Sequence, residues 1–302
     1  MKRGFTRVLI CFGAGILVQA GVYIYLDQVL FSTSSDYNVS DIKKAAAKNS
    51  RDVFAGVAVQ GRRYYSYDNQ YMADMTETQV KIYDARNLSQ PQTVDLKGKN
   101  VSFFEWLPDR NLALIALYPG GWKGGRWAVT LARYNPDSPN HESDAPIEDL
   151  PKNSRIVGVA YSTATNAVYM KMQVGQGLYR IYRTDANYDT RRIYVQTSNI
   201  GKIAVFYDED RLFYDDADRG VIYTFNGADG SWRIVSPPGM FRLVDVDSNK
   251  KIYAARVNTK GEATEFYTGK LGVGFEKVAS LDQPVEFSSV TMHTIQEAEK
   301  SK

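Results

Sequence analysis

Few side chains in this sequence could form a catalytic or metal-binding site of the common kinds. The chain has two histidines, His141 and His293, and a single cysteine, Cys11. A histidine metal cluster needs several converging imidazoles, and a Ser-His-Asp triad needs an imidazole positioned by a carboxylate. The two histidines are far apart in the sequence, one in a proline-rich stretch and one near the carboxyl end. We therefore expect no metal, no cofactor and no histidine- or cysteine-dependent catalysis.

Carboxylates are the remaining groups that could catalyse hydrolysis. Glycosidases use two of them a few ångströms apart, and Glu105, Asp208, Asp245 and Asp247 lie on or just after strands of one repeated type. No local motif singles them out, and Asp at the end of a strand usually accepts backbone amides. The sequence also lacks a G-x-S-x-G elbow and a phosphate-binding G-x-x-x-x-G-K-[ST] loop. A carboxylate-based glycoside hydrolase is therefore less favoured than the two binding functions given at the end of this subsection. We expect the chain not to be an enzyme.

The stretch YPGGWKGGRW (118–127) is the most informative candidate for binding. Four glycines surround Trp122, and glycine permits close approach of another chain or ligand. A mixture of aromatic and arginine side chains is typical of protein interfaces, and an aromatic ring also stacks on sugars. The alternatives are that Trp122 folds back onto its own sheet, while Trp127 packs between sheets. With other loops expected at the same end of the fold, the predicted surface consists of Tyr67, Tyr71, Trp122, Lys123, Arg126, Asp216 and Arg219.

The elements that would position these residues are short strands. From Asp52 onward, runs rich in Val, Ile, Tyr and Phe alternate with Gly, Asn, Asp and Pro clusters. The runs recur as a unit of four strands whose second strands are about 40 to 56 residues apart. The five predicted first strands are VFAGVAV (53–59), VSFFEWL (101–107), RIVGVAY (155–161), KIAVFYD (202–208) and FRLVDVD (241–247).

With this repeat, residues 52–292 resemble divergent bacterial extracytoplasmic β-propellers related to tryptophan–aspartate-repeat proteins. The Trp-Asp dipeptide and the Gly-His pair of that family are absent from all five repeats. The resemblance implies an all-β propeller of about five four-stranded blades, or six or seven if long connections hide strands. Residues 285–292 (VEFSSVTM) would close the ring by pairing with the first blade. The alternative is two tandem sandwiches, which the regular period disfavours.

The amino-terminal segment predicts a membrane anchor. Val8–Leu26 contains no charged residue and is long enough to cross a bilayer as a helix. Lys2, Arg3 and Arg7 precede it, and basic flanks stay in the cytoplasm. We therefore expect an uncleaved single-pass transmembrane helix with the propeller on the extracellular or periplasmic side.

Two alternatives for this segment are a signal peptide cleaved after Ala20 and a buried soluble helix. We divide the chain into a basic flank and transmembrane anchor (1–31), a linker or short stalk helix (32–51), the propeller (52–293) and a charged tail without an apolar face (294–302). Cys11 lies within the anchor, so the exported part has no thiol and no intramolecular disulfide.

Charge and anchor together restrict the partners. Of 37 basic residues three precede the anchor, and the remainder of the chain has as many basic residues as its 34 acidic ones. Such a neutral body has no basic surface for nucleic acid. We expect a scaffold or accessory subunit of a membrane or cell-envelope protein complex. The second function is a carbohydrate-binding accessory protein of exopolysaccharide synthesis or export, which would bind polysaccharide.

Overall fold

The computed structural model describes residues 52–121, 126–143 and 146–301, with the side chains of 139–143 left out of the description. The predicted transmembrane helix and linker lie outside these residues. Among the residues that are described, no helix is both long and apolar enough to span a membrane.

The residues from Phe54 onward form one compact unit of five antiparallel sheets, each of which is a blade of a β-propeller; four sheets have four strands and the second has five. The first blade consists of β1 (Arg62–Tyr65), β2 (Tyr71–Met75), β3 (Val80–Asp84) and β4 (Asn87–Thr93). The second consists of β5 (Lys99–Trp106), β6 (Ala113–Pro119), β7 (Trp127–Asn135), β8 (Ser138–Ser143) and β9 (Ile147–Leu150). The third consists of β10 (Arg155–Ser162), β11 (Ala167–Gly175), β12 (Leu178–Thr184) and β13 (Thr190–Ile193). The fourth consists of β14 (Ile200–Val205), β15 (Arg211–Asp216), β16 (Val221–Asn226) and β17 (Trp232–Ile234). The fifth consists of β18 (Phe241–Val246), β19 (Ile252–Val257), β20 (Glu262–Lys270) and β21 (Gly274–Glu286).

The strands of each blade pair antiparallel in chain order, which is the pattern predicted from the repeat. In the second blade, β8 and β9 both pair with β7 and share the fourth position. The first strands of blades two to five each have a register shift, for example between Val101 and Phe103 and between Leu243 and Asp245. Such bulges bend a strand and increase its twist.

Apolar side chains from successive blades form the core. The first cluster joins blades one and two and includes Tyr71, Phe104 and Trp106. Three further clusters join blades two and three, three and four, and four and five. Because strand residues alternate between faces, each inner blade contributes to the clusters on both of its sides. The fold is therefore held together by packing between blades, as the resemblance to propellers implies.

The outer faces of the first and fifth blades are covered by neighbouring parts of the chain. Phe54 is buried against Met72 and Tyr83 on the first blade. On the fifth blade, Val290 and the helix α1 (Met292–Lys300) cover the sheet, and Ile295 is fully buried there. Within the described residues no strand is shared between the first and fifth sheets.

Two predictions about the chain ends are therefore wrong. Residues 285–292 do not form a closing strand, because β21 continues to Glu286 and Thr291 then caps α1 through a capping box. The tail 294–302 does have an apolar side, which includes Ile295 and Ala298.

The predicted first strand of the first blade, 53–59, is also wrong. Its apolar residues pack on the face of the blade, as Phe54 does, and form no part of the sheet. The first strand of this sheet is instead β1. Asp74 explains the difference, because this buried acid accepts hydrogen bonds from the amides of Gln60 (3.0 Å) and Gly61 (2.7 Å) and interrupts an apolar pattern.

Candidate functional site

The propeller has two ends, which differ in the connections they carry. The turn end holds the connections between first and second strands and between third and fourth strands. The loop end holds the connections between second and third strands and the segments that lead into the next blade. Contacts between blades one and two confirm this alignment: Asn111 Nδ2 donates to Asp68 Oδ2 (3.0 Å) at the turn end, and the Tyr118 hydroxyl donates to Glu77 at the loop end.

The residues predicted to form one surface are divided between these ends. Tyr67 lies between β1 and β2, and Tyr71 begins β2, so both are at the turn end. Arg126 precedes β7 and Arg219 lies between β15 and β16, so both are at the loop end. The prediction that all share one face is wrong for Tyr67 and Tyr71, because the strand β2 runs from these residues to the loop end.

Tyr71 and Asp216 support the fold locally. The Tyr71 side chain is buried, and its hydroxyl donates to Asp137 (2.5 Å). Burial and this carboxylate raise the pKa of Tyr71 well above its usual value. Asp216 is buried and accepts hydrogen bonds from the amides of Asp218 (2.9 Å) and Arg219 (3.0 Å) in the hairpin turn.

The predicted loop-end residues fall into two groups. Arg126 and Arg219 are exposed, and Arg126 Nε lies 3.3 Å from Asp149. Trp122 and Lys123 lie outside the described residues, so their part in binding stays a prediction. Trp127 is buried between the second and third blades, as predicted, and its Nε1 donates to the Ser154 carbonyl (2.8 Å).

A depression of about 880 Å³ at the loop end lies beside residues 118–121 and Trp127. Several planar polar side chains line it beside the ring of Tyr118: Glu77, Asn100, Arg155, Gln173 and Gln176. Arg155 Nε donates to the Gln173 amide oxygen (3.1 Å), which orients both groups. Amide and guanidinium groups beside an aromatic ring can bind the hydroxyls and the apolar face of a sugar.

An axial channel of about 650 Å³ is the second concave site. The first strands of blades two to five line it, together with Met292 and Gln296 of α1. Glu105 and Asp245 both open into it, and each is the penultimate residue of its strand. This equivalent position explains why two carboxylates from distant parts of the sequence face one cavity.

The charges in the channel are unequally paired. Lys202 Nζ lies 3.8 Å from Asp245 Oδ2, whereas Glu105 forms no hydrogen bond or ion pair with any of the described residues. The protein walls around the Glu105 carboxyl raise its pKa to about 7, although nearby Lys202 acts in the opposite direction. Burial lowers the pKa of Lys171 to about 8, and Lys171 Nζ donates to the Gly201 carbonyl (2.5 Å).

The other acidic residues named from the sequence have structural partners. Asp247 accepts hydrogen bonds from the amides of Asn249 and Lys251 (both 2.9 Å), as expected of an Asp that ends a strand. Asp208 pairs with Lys250 Nζ (3.1 Å). A hydrolytic pair would thus have to consist of Glu105 and Asp245, and such an activity stays a hypothesis.

A third cavity, of about 220 Å³, lies at the turn end between blades two and three. Its apolar lining includes Leu107, Leu114 and Val168, all buried. Arg110 and Arg133 also line it, and the exposed ring of Tyr188 lies under the Arg133 guanidinium at 5.1 Å. We call this cavity the turn-end pocket.

Sequence reasoning missed the turn-end pocket. Its residues come from three separate turns, and each turn by itself has an ordinary hairpin sequence. The exposed Tyr188 has a left-handed backbone (φ 65°), which only the structure reveals. Such a conformation is uncommon outside glycine and asparagine.

No protein-family profile matches the chain, and a comparison with curated protein sequences gives no significant match. A structure of two prolyl endopeptidases is similar, with 14% identity and a TM-score of 0.55, over 74% of this chain and 35% of that one. Porphyromonas gingivalis dipeptidyl peptidase 4 has 11% identity and a TM-score of 0.52, over 74% of this chain and 39% of that one. The β-propeller domain of Myceliophteria thermophila Cps50 (Swd1) has 14% identity and a TM-score of 0.42, over 76% and 75%. The chain thus spans well under half of the two peptidases, and at these identities the likeness concerns the fold alone.

Proposed function

We propose that this chain is a non-enzymatic, membrane-tethered extracytoplasmic β-propeller that serves as a scaffold or accessory subunit of a cell-envelope protein complex. The apolar segment Val8–Leu26, with its basic flank, supports the tether and the orientation. The turn-end pocket is the observation that carries the interaction role.

The turn-end pocket has the features of a protein-binding hot spot. Its volume is similar to that of one large apolar side chain, and its floor is already desolvated. Tyrosine and arginine, here Tyr188 with Arg110 and Arg133, are the residues that contribute most to binding energy at interfaces. The rim carries two arginines and one acidic residue, Asp185, so a partner with an acidic residue beside an apolar anchor would complement its net positive charge.

Photo-crosslinking in intact cells tests this role. The full-length chain carries p-benzoylphenylalanine in place of Tyr188, and a matched variant carries it in place of Tyr194, whose ring is 77% exposed on the outer edge of the third blade. We expect a discrete adduct from position 188 that is absent from position 194 and that Arg110→Glu reduces. Equal labelling at both positions would contradict the proposal. So would an adduct from position 188 whose yield Arg110→Glu leaves unchanged.

The orientation is tested separately from the interaction. We expect alkaline phosphatase fused after Lys302 to be active, since this enzyme requires an oxidising compartment. An inactive fusion together with an active cytoplasmic reporter at the same position would refute the extracytoplasmic placement.

The loop-end depression favours a second candidate, a carbohydrate-binding accessory protein of exopolysaccharide synthesis or export. The planar polar groups around Tyr118 support it. We expect glycan binding that Gln173→Ala and Trp122→Ala abolish without a change in melting temperature. Gln283→Ala, on the exposed part of β21, is the matched control and should bind normally. A wild type that binds nothing on a glycan array would refute this candidate.

A further inference from the structure

The outer edge of each blade is its fourth strand, and these strands differ in charge. β4 (NLSQPQT) has no charged residue, and β8 and β9 together contain three acidic residues. β21 contains three acidic residues and one lysine. In contrast, β13 (TRRI) and β17 (WRI) contain three arginines and no acidic residue. Net positive charge at the outer edge is therefore found on blades three and four.

Large apolar side chains are exposed on the same two blades. Trp232 and Ile234 of β17 are 49% and 55% exposed. They pair with Phe225 and Tyr223, whose rings belong to the core cluster between blades three and four, and the Trp232 ring lies 6.0 Å from that of Tyr223. Because residues two apart in a strand share a face, both apolar side chains extend this cluster outward to the surface.

The third blade adds an aromatic ring and two of the arginines. Tyr194 directly follows β13, and the Arg192 guanidinium lies 4.8 Å from the centre of its exposed ring. The acidic residues that precede the two strands, Asp189 and Asp229, lie in turns at the turn end, and Asp229 accepts a hydrogen bond from the Ser231 amide (2.8 Å). We call the exposed set the outer-edge patch: Arg191, Arg192, Tyr194, Trp232, Arg233 and Ile234.

The outer-edge patch complements a flat, negatively charged surface. One plane can touch the outer edges of two neighbouring blades of a ring at the same time. Tryptophan and tyrosine concentrate at the level of the lipid headgroups, and arginine binds their phosphates. Residues 27–53 could span up to about 90 Å when extended, which exceeds the roughly 45 Å diameter of a domain of this size. A tether of this length lets the patch reach the bilayer.

We propose that the outer-edge patch docks the propeller sideways on an anionic phospholipid surface. The inference rests on the membrane tether of the proposed function. Trp232 and Ile234 enter the headgroup region, and the three arginines pair with lipid phosphates. Because a lipid surface attracts charge and does not require the geometry of the guanidinium group, lysine at the same positions should serve nearly as well.

A fluorophore beside the outer-edge patch measures the docking. Because Cys11 is the only cysteine, the full-length chain with Cys11→Ser and Ser231→Cys carries a single nitrobenzoxadiazole label next to Trp232. The matched control carries the label at Gln90→Cys, on the exposed β4 of the first blade. Both proteins are reconstituted in nanodiscs of phosphatidylcholine, with or without phosphatidylglycerol. We expect a blue-shifted, brighter emission only from position 231 and only with phosphatidylglycerol.

Substitution of the arginines separates charge from shape. Glutamine at Arg191, Arg192 or Arg233 should each lower the ratio of docked to undocked protein about fivefold, and the triple glutamine variant should lose the shift. The triple lysine variant should keep it, whereas a protein-binding hot spot that depends on the guanidinium group would not tolerate lysine. Should a glutamine variant fail to fold, added salt screens the same charges in the unchanged patch and should abolish the shift.

Equal emission changes at positions 231 and 90, or a shift that does not depend on phosphatidylglycerol, would overturn the proposal. Solvent-like emission from position 231 in every disc would also overturn it, and a protein adduct at this position in cells would then assign the patch to a protein partner. A chain that does not co-purify with the discs would refute the tether itself. Its sedimentation with phosphatidylglycerol vesicles, or its failure to sediment, would then decide the role of the outer-edge patch. Because the turn-end pocket is unchanged throughout, failure here leaves the scaffold role intact.

Discussion

The buried ion pair between Asp215 and Arg242 joins the fourth and fifth blades, and its removal gives the sharpest stability prediction. Asp215 on β15 has no exposed surface, and Arg242 on β18 donates to it across the interface. The Lys202 amide also donates to Asp215 Oδ1 (2.5 Å). Burial raises the pKa of Asp215, while Arg242 acts to lower it. The carboxylate is therefore sensitive to the loss of its partner.

Arg242→Met leaves a buried charge without its cation, which costs about 3–5 kcal/mol in comparable pairs. We expect the lower end, about 3 kcal/mol, because Lys171 also stabilises the Asp215 charge. Asp215→Asn alone should cost less, about 1–2 kcal/mol, since the amide still accepts from Lys202 and Arg242 is partly exposed. The double variant should cost about 2–3 kcal/mol instead of the additive 4–5 kcal/mol, which is a coupling of about 2 kcal/mol.

Urea unfolding of the full-length protein in detergent, followed by tryptophan fluorescence, measures the four free energies of unfolding. Because a protonated Asp215 needs no cation, the loss in Arg242→Met should shrink as the pH falls. A loss below about 1 kcal/mol, or a coupling below about 0.5 kcal/mol, would show that the pair contributes little and would refute the reasoning.

Two further predictions concern the channel and the carboxyl-terminal helix. Carbon-13 NMR of glutamate carboxyls should show Glu105 titrating at a pKa of about 7, and Lys202→Met should raise that pKa further; a titration near the ordinary value of about 4.3 would contradict the enclosure of the group. Ile295→Ala should lower the free energy of unfolding by about 2–4 kcal/mol in urea titrations, whereas the exposed His293→Ala should change it by less than about 0.5 kcal/mol. Equal effects of the two would show that α1 does not pack on the fifth blade.

The repeat could be recognised in the sequence because every blade has the same succession of apolar strands and polar turns. The strands β5, β10, β14 and β18 lie close to the predicted first strands, since alternating apolar side chains fill both faces of a buried sheet. The first blade was displaced by one strand, because buried Asp74 breaks that alternation in β2. The packing of α1 was missed because only one of its residues, Ile295, is fully buried, while Met292 and Ala298 pack beside it in part.

The candidate sites were less predictable than the fold. Tyr71 was predicted to lie on a binding surface, but it is buried and its hydroxyl donates to Asp137. The sequence could not show this contact, because the two residues are far apart in the chain. The turn-end pocket and the axial channel combine residues from several blades. No local pattern marks such a combination.

The sequence by itself determined the all-β class, the five repeats, the buried Trp127 and the segment predicted to anchor the chain, because each depends on neighbours close in the chain. The tertiary structure decided which residues share an end of the propeller, that Glu105 and Asp245 face one channel, and what covers the outer blades. These depend on strand register and on packing between blades, where one displaced strand carries a side chain to the opposite end.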